Sequence, residues 1–226
     1  MKTIGIIGAM PNEIADITSA LPAAEVKTVA RYDFHITSLN GNKVVYVCCG
    51  IGKVNAAVCT QVLIDTFGAD CIINTGIAGG ISNNAHICDI VISDDVMHHD
   101  LLARFLENYP PFNSQFKSDK TLIELAVDAC KRSNMTHFVK RIVSGEEFVS
   151  STESRNRIIE EFDPYAVDME TAAIAHCSFR NDIPFVSVRC ISDNANEESD
   201  ISFDEFQDIA ANKVATVVLD MLGRIK

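Results

Sequence analysis

Short runs of strand-forming residues recur along the chain, alternating with segments of helical spacing, and this alternation limits the fold more than any other feature of the sequence. The runs cover 3–7, 34–39, 43–49, 71–74, 87–96, 138–143, 165–169 and 185–191. Several end in glycine or in an acidic residue, as strands do when they turn into a helix or a binding loop. An α/β protein with a central sheet covered by helices is expected. At 226 residues, 47% of them hydrophobic, the chain can bury a full-sized core, and one domain spanning 1–226 is the simplest reading.

The spacing predicts a largely buried helix over 54–67 and an Ala-rich one over 171–179. Leu122, Leu125, Ala126, Ala129 and Cys130 form one face of a third. Phe206, Ile209, Ala210, Val214, Val217, Val218 and Met221 form one face of the last. Ser202 and Glu205 have capping-box spacing, so the last helix is expected to begin at Ser202. The segment 98–117 lacks a sustained period yet carries Phe105, Tyr109, Phe112 and Phe116. A lid or a subunit contact would keep these rings from water.

Charge and cysteine usage narrow the function. A formal charge of −12 would repel a phosphate backbone, which argues against nucleic-acid binding. Apolar stretches such as 44–49 and 183–188 fall far short of the roughly 20 residues that span a bilayer. The opening residues read as a first strand and not as a signal peptide. The eight cysteines contain no Cys-x-x-Cys pair and lie mostly in apolar runs. Reduced core thiols and a cytoplasmic location are therefore expected.

Six junctions could carry chemistry. In Gly8-Ala9-Met10-Pro11-Asn12-Glu13, Pro11 suits a first helical position, and Glu13 is either an acid favoured by the helix dipole or a base at a strand's carboxyl edge. Gly50-Ile51-Gly52-Lys53-Val54 is neither a P-loop nor a dinucleotide fingerprint: it reads as a tight turn or a close approach of backbone to ligand. Asn74-Thr75-Gly76-Ile77-Ala78-Gly79-Gly80 could line a pocket with amides. Ser144-Gly145-Glu146-Glu147-Phe148-Val149 offers an aromatic that is either core or a face for a base. In Asp168-Met169-Glu170, two acids interrupt an apolar junction and need a partner or a role. Arg189-Cys190-Ile191-Ser192-Asp193 ends a strand with an acid, which caps a helix or serves a site. The acidic run 196–200 reads as a solvated loop, and His98-His99-Asp100 lacks metal-site spacing.

Taken together and in this order, with Ser202-Phe203-Asp204-Glu205-Phe206 after them, these segments resemble the 5′-methylthioadenosine/S-adenosylhomocysteine nucleosidase family over essentially the whole chain. The resemblance implies a purine nucleoside phosphorylase-like α/β fold, a mixed central sheet flanked by helices, and a homodimer. It also implies hydrolysis of the N-glycosidic bond of adenosine thioethers by water, with no metal or organic cofactor. Matched to the family pattern, Asp193 would protonate the adenine, Glu13 would activate water, and Glu170 would bind the ribose hydroxyls and steady the sugar cation. Phe148 would stack on adenine, with the Val149 backbone reading its edge. Ala78, Gly79 and Ser192 would belong to the binding pocket. Met169 would pack on the ribose, and Met10, Ile51 and Phe203 would surround the thio substituent. Phe105 and Phe112 would come from the partner chain.

The sequence departs from the family pattern at Ile77, where Ser is common, at Asn194, and in a short lid segment. Two rival readings share the fold. A phosphorylase would need an anion site, yet the stretch 3–26 contains no Lys or Arg and places Glu13 where phosphate would be repelled. A non-catalytic nucleoside-binding dimer would be expected to lack one of the three acids, and all three are present.

Overall fold

The computed structural model describes residues 1–196 and 198–225; Glu197 of the acidic run and Lys226 lie outside them. Four parallel strands, β4 (Asn42–Cys48), β1 (Thr3–Gly8), β5 (Cys71–Gly80) and β10 (Phe185–Asp193), lie side by side at the centre of a mixed sheet. Antiparallel β3 (Tyr32–Leu39) and β2 (Glu25–Val29) extend it beyond β4. On the other side, β10 pairs antiparallel with β6 (Ile90–His98), which runs parallel to β8 (His137–Ser144), and β8 runs parallel to β9 (Ala166–Asp168). β9 then returns to β5 at Gly79 and Gly80, so five strands close into a ring. The two-residue β7 (Phe116–Lys117) adds to β6.

Side-chain alternation along the strands divides the core into two layers. Ile4 and Ile6 of β1 face α1 (Pro11–Ala20), α4 (Lys120–Arg132) and α7 (Ser199–Leu222), which contribute Ile14 and Ile17, Leu122 and Ala126, and Val214, Val218 and Met221. Ile7 faces the other layer, where α2 (Lys53–Asp65) and α6 (Thr171–Arg180) contribute Cys59 and Leu63, and Ala172 and Ile174. The apolar face of α4 is the one its spacing predicts; α7 buries Ala210, Val214, Val217, Val218 and Met221 as expected, but Ile209, expected on the same face, is half exposed. Val54 and Val58 of α2, expected inside a buried helix, are exposed.

Three helices go beyond the sequence reading or correct it. α7 begins at Ser199, one turn before the expected start, and Ser202 donates its backbone N–H to the Glu198 carbonyl. An earlier turn starts the helix: Ser199 Oγ accepts the Asn196 N–H at 2.6 Å, and Ser199 returns its own N–H to the Asn196 carbonyl. The run 196–200 is thus not simply a solvated loop, since Ser199 is buried and helical. The aperiodic segment 98–117 contains the short helix α3 (Ala103–Asn108). α5 (Thr152–Phe162), capped by Ser151, inserts Ile158 and Phe162 into a cluster beneath β8 and β9.

All eight cysteines are free. Cys49, Cys59, Cys71, Cys130 and Cys190 are buried, and Cys48, Cys88 and Cys177 are half-buried. Among the described residues no helix is long and apolar enough to cross a membrane.

Candidate active site

The carboxyl ends of the central strands bring the candidate acids to one cavity. β1 ends at Gly8, Met10 caps α1, and Pro11 occupies the first helical position, which places Glu13 one turn in. From there Glu13 folds back. Its Oε2 accepts the N–H groups of Ala9 and Met10 at 2.6 and 2.9 Å, and its Oε1 accepts that of Ile77 in β5 at 2.8 Å. Burial raises the Glu13 pKa; the Arg189 charge and the three N–H donors oppose that rise.

Asp193 is positioned by an irregularity in β10. Ile191 pairs with Ala78 of β5, while Asp193 pairs with Gly79, so the register shifts across Ser192 and both residues reach the cavity wall. The Ser192 hydroxyl donates to Asp193 Oδ2 at 2.9 Å, and the Ala195 N–H donates to its Oδ1 at 2.9 Å.

Glu170 stands where β9 passes into α6. The Gly52 N–H donates to its Oε1 at 2.8 Å. Gly52, with φ of +100°, turns the chain after β4 so that this amide points inward, a conformation that glycine adopts without strain. Glu170 is pushed up to about 7 by burial and by the neighbouring Asp168 carboxylate; Arg189 and the Gly52 amide act the other way.

Glu13, Glu170 and Asp193 therefore converge, together with Met10, Ile51, Ala78, Gly79, Phe148, Met169, Ser192 and Phe203 from the sequence reading. Val149 lines a smaller adjoining recess with Phe148, Met169, Gly79 and Asp193. Phe148 is 43% exposed and meets Phe203 edge-on at 5.7 Å, which makes it a residue of the mouth and not of the core. Phe105, on α3, does not line the cavity of its own chain and is 48% exposed. Ile77 lines the cavity and belongs to the core layer beneath α1, α4 and α7, and its backbone N–H reaches Glu13, so that contact is independent of the side chain.

The sequence reading gave no role to Asp168, which also lines the cavity, or to Arg189 behind it. Arg189 is fully buried in β10, with Nη2 2.7 Å from Asp168 Oδ2 and 3.6 Å from Glu170 Oε2, and Nη1 3.6 Å from Glu13 Oε1. A lone Arg inside the apolar strand 185–190 was the available signal, since a buried guanidinium requires anionic partners. No Lys, Arg or His is among the described residues lining the cavity.

Residues 3–223 match the profile of the Phosphorylase superfamily. The chain is 40% identical over 228 residues to the 5′-methylthioadenosine/S-adenosylhomocysteine nucleosidase of Bacillus licheniformis, with 98% of this chain and 99% of that protein covered. The crystal structure of the corresponding nucleosidase of Neisseria meningitidis, in complex with methylthio-immucillin-A, superposes with a TM-score of 0.94 at 38% identity over the whole of both chains. A futalosine hydrolase mutant of Helicobacter pylori superposes with a TM-score of 0.95 at 28% identity, again over the whole of both chains.

Proposed function

The chain belongs to the 5′-methylthioadenosine/S-adenosylhomocysteine nucleosidase family of the Phosphorylase superfamily, and on that premise we propose that it hydrolyses the N-glycosidic bond of both nucleosides, releasing adenine and the 5-thioribose product. The observation that carries this reading is the convergence of Glu13, Glu170 and Asp193 on one cavity with no Lys, Arg or His among the described residues that line it.

Breaking this bond requires a proton on the departing purine, a stabilised cation on the sugar and a deprotonated water. Asp193 is the proposed acid. It shares a recess with Phe148 and Val149, which supports binding of adenine there: Phe148 offers a stacking face and the Val149 backbone a hydrogen-bonding edge. Glu13 is the proposed base, held by three backbone amides. Glu170 is anchored through Oε1, which supports a role for Oε2 in binding the ribose hydroxyls and stabilising the adjacent cation. Met169 packs on the ribose in this reading, Met10, Ile51 and Phe203 surround the apolar thio substituent, and Ala78, Gly79 and Ser192 complete the wall.

Hydrolysis is favoured over phosphorolysis by electrostatics. A phosphate in this cavity would meet Glu13, Asp168, Glu170 and Asp193, while Arg189 lies behind them, paired with Asp168 and within 4 Å of Glu13 and Glu170. The same cavity favours a cationic sugar. Purified protein given methylthioadenosine, with and without phosphate, is expected to release adenine at the same rate in both cases. Phosphate-dependent accumulation of a ribose 1-phosphate would overturn the assignment.

The proposal extends to one nucleosidase domain that works as a cytoplasmic homodimer and recycles by-products of S-adenosylmethionine. Leu101, Leu102, Phe105, Tyr109 and Phe112 form an exposed apolar stretch, with Val54 and Val58 exposed on α2, and a second copy of the chain would cover such residues. Light scattering behind size exclusion is expected to give twice the 24.7 kDa chain mass.

A further inference from the structure

Asp168 borders the cavity but has no step in the reaction above. Its Oδ1 accepts the Ser144 hydroxyl and the backbone N–H groups of Glu170 and Thr171 at 3.3 and 3.2 Å, which fixes the turn that carries Glu170. Its Oδ2 accepts the Thr171 hydroxyl and Arg189 Nη2. Ser144 is its direct neighbour across the β8–β9 ladder, and the Ser144 hydroxyl also accepts the Ala172 N–H at the start of α6.

This leaves Arg189 tethered on one side. Thr171 Oγ1 accepts from Nε and Nη2 at 3.2 and 3.0 Å, and the Ile77 carbonyl lies 3.4 Å from Nη1. Among the described residues only Asp168 forms a short ion pair with the guanidinium; the separations of 3.6 Å to Glu13 and Glu170 are beyond hydrogen-bonding range. We propose that Asp168 is a positioning residue that holds Arg189 back from direct pairing with Glu13 and Glu170, which keeps those two carboxylates available to water and to the ribose.

Without the Asp168 charge, Arg189 would be free to close on Glu170 Oε2 and Glu13 Oε1. The groups facing Arg189 are Glu13 from α1, Glu170 and Thr171 at the start of α6, Asp168 from β9, Ile77 from β5 and Cys49 after β4. Those facing Glu170 are Asp168, Arg189, Glu13, Cys49 and the Gly52 amide. Asp168 acts on Glu170 both directly, as a like charge, and indirectly, by engaging Arg189.

The proposal rests on the hydrolytic reading, in which Glu13 and Glu170 work as anions; burial raises both carboxyls, so kcat/KM of the parent protein falls on the acid side as they take up protons. In Asp168→Asn that acid limb is expected to move down by at least about one pH unit, because a repelling charge is lost and an attracting one moves closer. Asp168→Ser, which keeps a hydroxyl beside the Glu170 and Thr171 amides, is expected to move it in the same direction and provides the readout should the Asn variant fold poorly. Asp168→Glu restores the charge and should return the limb toward the parent. Ser144→Ala removes a hydrogen bond to Asp168 but no charge, and should leave the limb in place. A limb unmoved in both charge-removing variants, or moved as far by Ser144→Ala, overturns the proposal. Failure of the parent to release adenine would sink the hydrolytic reading alone. The shift would then be read from carbon-13 titration of Glu170, assigned by Glu170→Gln, where an unchanged titration in Asp168→Asn again overturns the proposal.

Discussion

Gly76 and Arg189 are direct neighbours across the parallel β5–β10 ladder, and a β-carbon on Gly76 would stand 2.2 Å from Arg189 Nη1. The same atom would lie 2.2 Å from Glu13 Oε1, and the backbone there has φ of +153°. The glycine is thus the gap through which the guanidinium approaches the carboxylate. Gly76→Ala is expected to lower stability by about 2–4 kcal/mol, since neither backbone nor buried charge can give way easily. Displacement of Glu13 should lower kcat by about 100-fold. Urea unfolding and steady-state adenine release check the two effects. Activity equal to the parent's would show that the Glu13–Arg189 geometry does not matter for turnover.

Asp193→Asn separates chemistry from folding. The amide keeps the size of the carboxyl, and its oxygen can still accept the Ala195 N–H, while the Ser192 hydroxyl can rotate to accept from the new NH2 group. What disappears is the proton that the proposed mechanism passes from Asp193 to the leaving adenine. Turnover of methylthioadenosine is expected to fall by about 100- to 10,000-fold, the usual range for a lost general acid. The thermal midpoint should stay within about 5 °C of the parent's. Turnover within a few-fold of the parent would remove Asp193 from the acid role.

How much of this could be read along the chain depends on whether the cause is local. Strand ends marked by glycine, and acids interrupting apolar runs, are local signals, and they bring Glu13, Glu170 and Asp193 into view before any coordinates. The Ser192 irregularity, the closure of β9 onto β5 and the Asp168–Arg189 pair depend on neighbours distant in sequence, which spacing does not encode. α5 is missed because its buried contribution is only Ile158 and Phe162 in an otherwise polar stretch. β2 shows no alternation because most of its residues are exposed, and it is held by pairing with β3. The capping-box pattern at Ser202 is overridden by the turn between Asn196 and Ser199 one turn upstream.

His98 and His99 should limit stability in acid. Both rings are buried, and no ring nitrogen of either has a hydrogen-bond partner among the described residues. His98 packs edge-on against Phe116 and His176, and burial, with Lys53 and His176 adding to it, pulls its pKa down to about 4 from an ordinary 6.5. Between pH 6.5 and about 4 the unfolded chain takes up a proton that folded His98 refuses, so stability falls as pH drops through that window and the His98 contribution is fully lost by its lower end. The difference amounts to roughly 3 kcal/mol. Glu170 works in the opposite sense between 4.5 and about 7, because its folded form keeps a proton that the unfolded chain has lost, so the comparison must be between variant and parent. His98→Leu is expected to flatten the fall between pH 6.5 and 4.5 in urea unfolding. An identical slope in the two proteins would mean that His98 takes up its proton without penalty.

Phe105 tests the proposed dimer and the partner's contribution together. The ring is nearly half exposed on α3, under the Arg104 guanidinium at 5.3 Å, and it does not reach the cavity of its own chain. If the second subunit buries it against the thio substituent of the substrate, removing it strips apolar contact from a group distant from the reacting bond. Binding should then suffer and chemistry should not. Phe105→Ala is expected to raise KM for methylthioadenosine by roughly tenfold, the equivalent of about 1.4 kcal/mol, with kcat changed little. Because the lost contact lies between chains, the concentration at which the dimer dissociates should rise as well. A variant that dimerises and binds substrate like the parent would mean that α3 faces solvent and that each subunit builds its site alone.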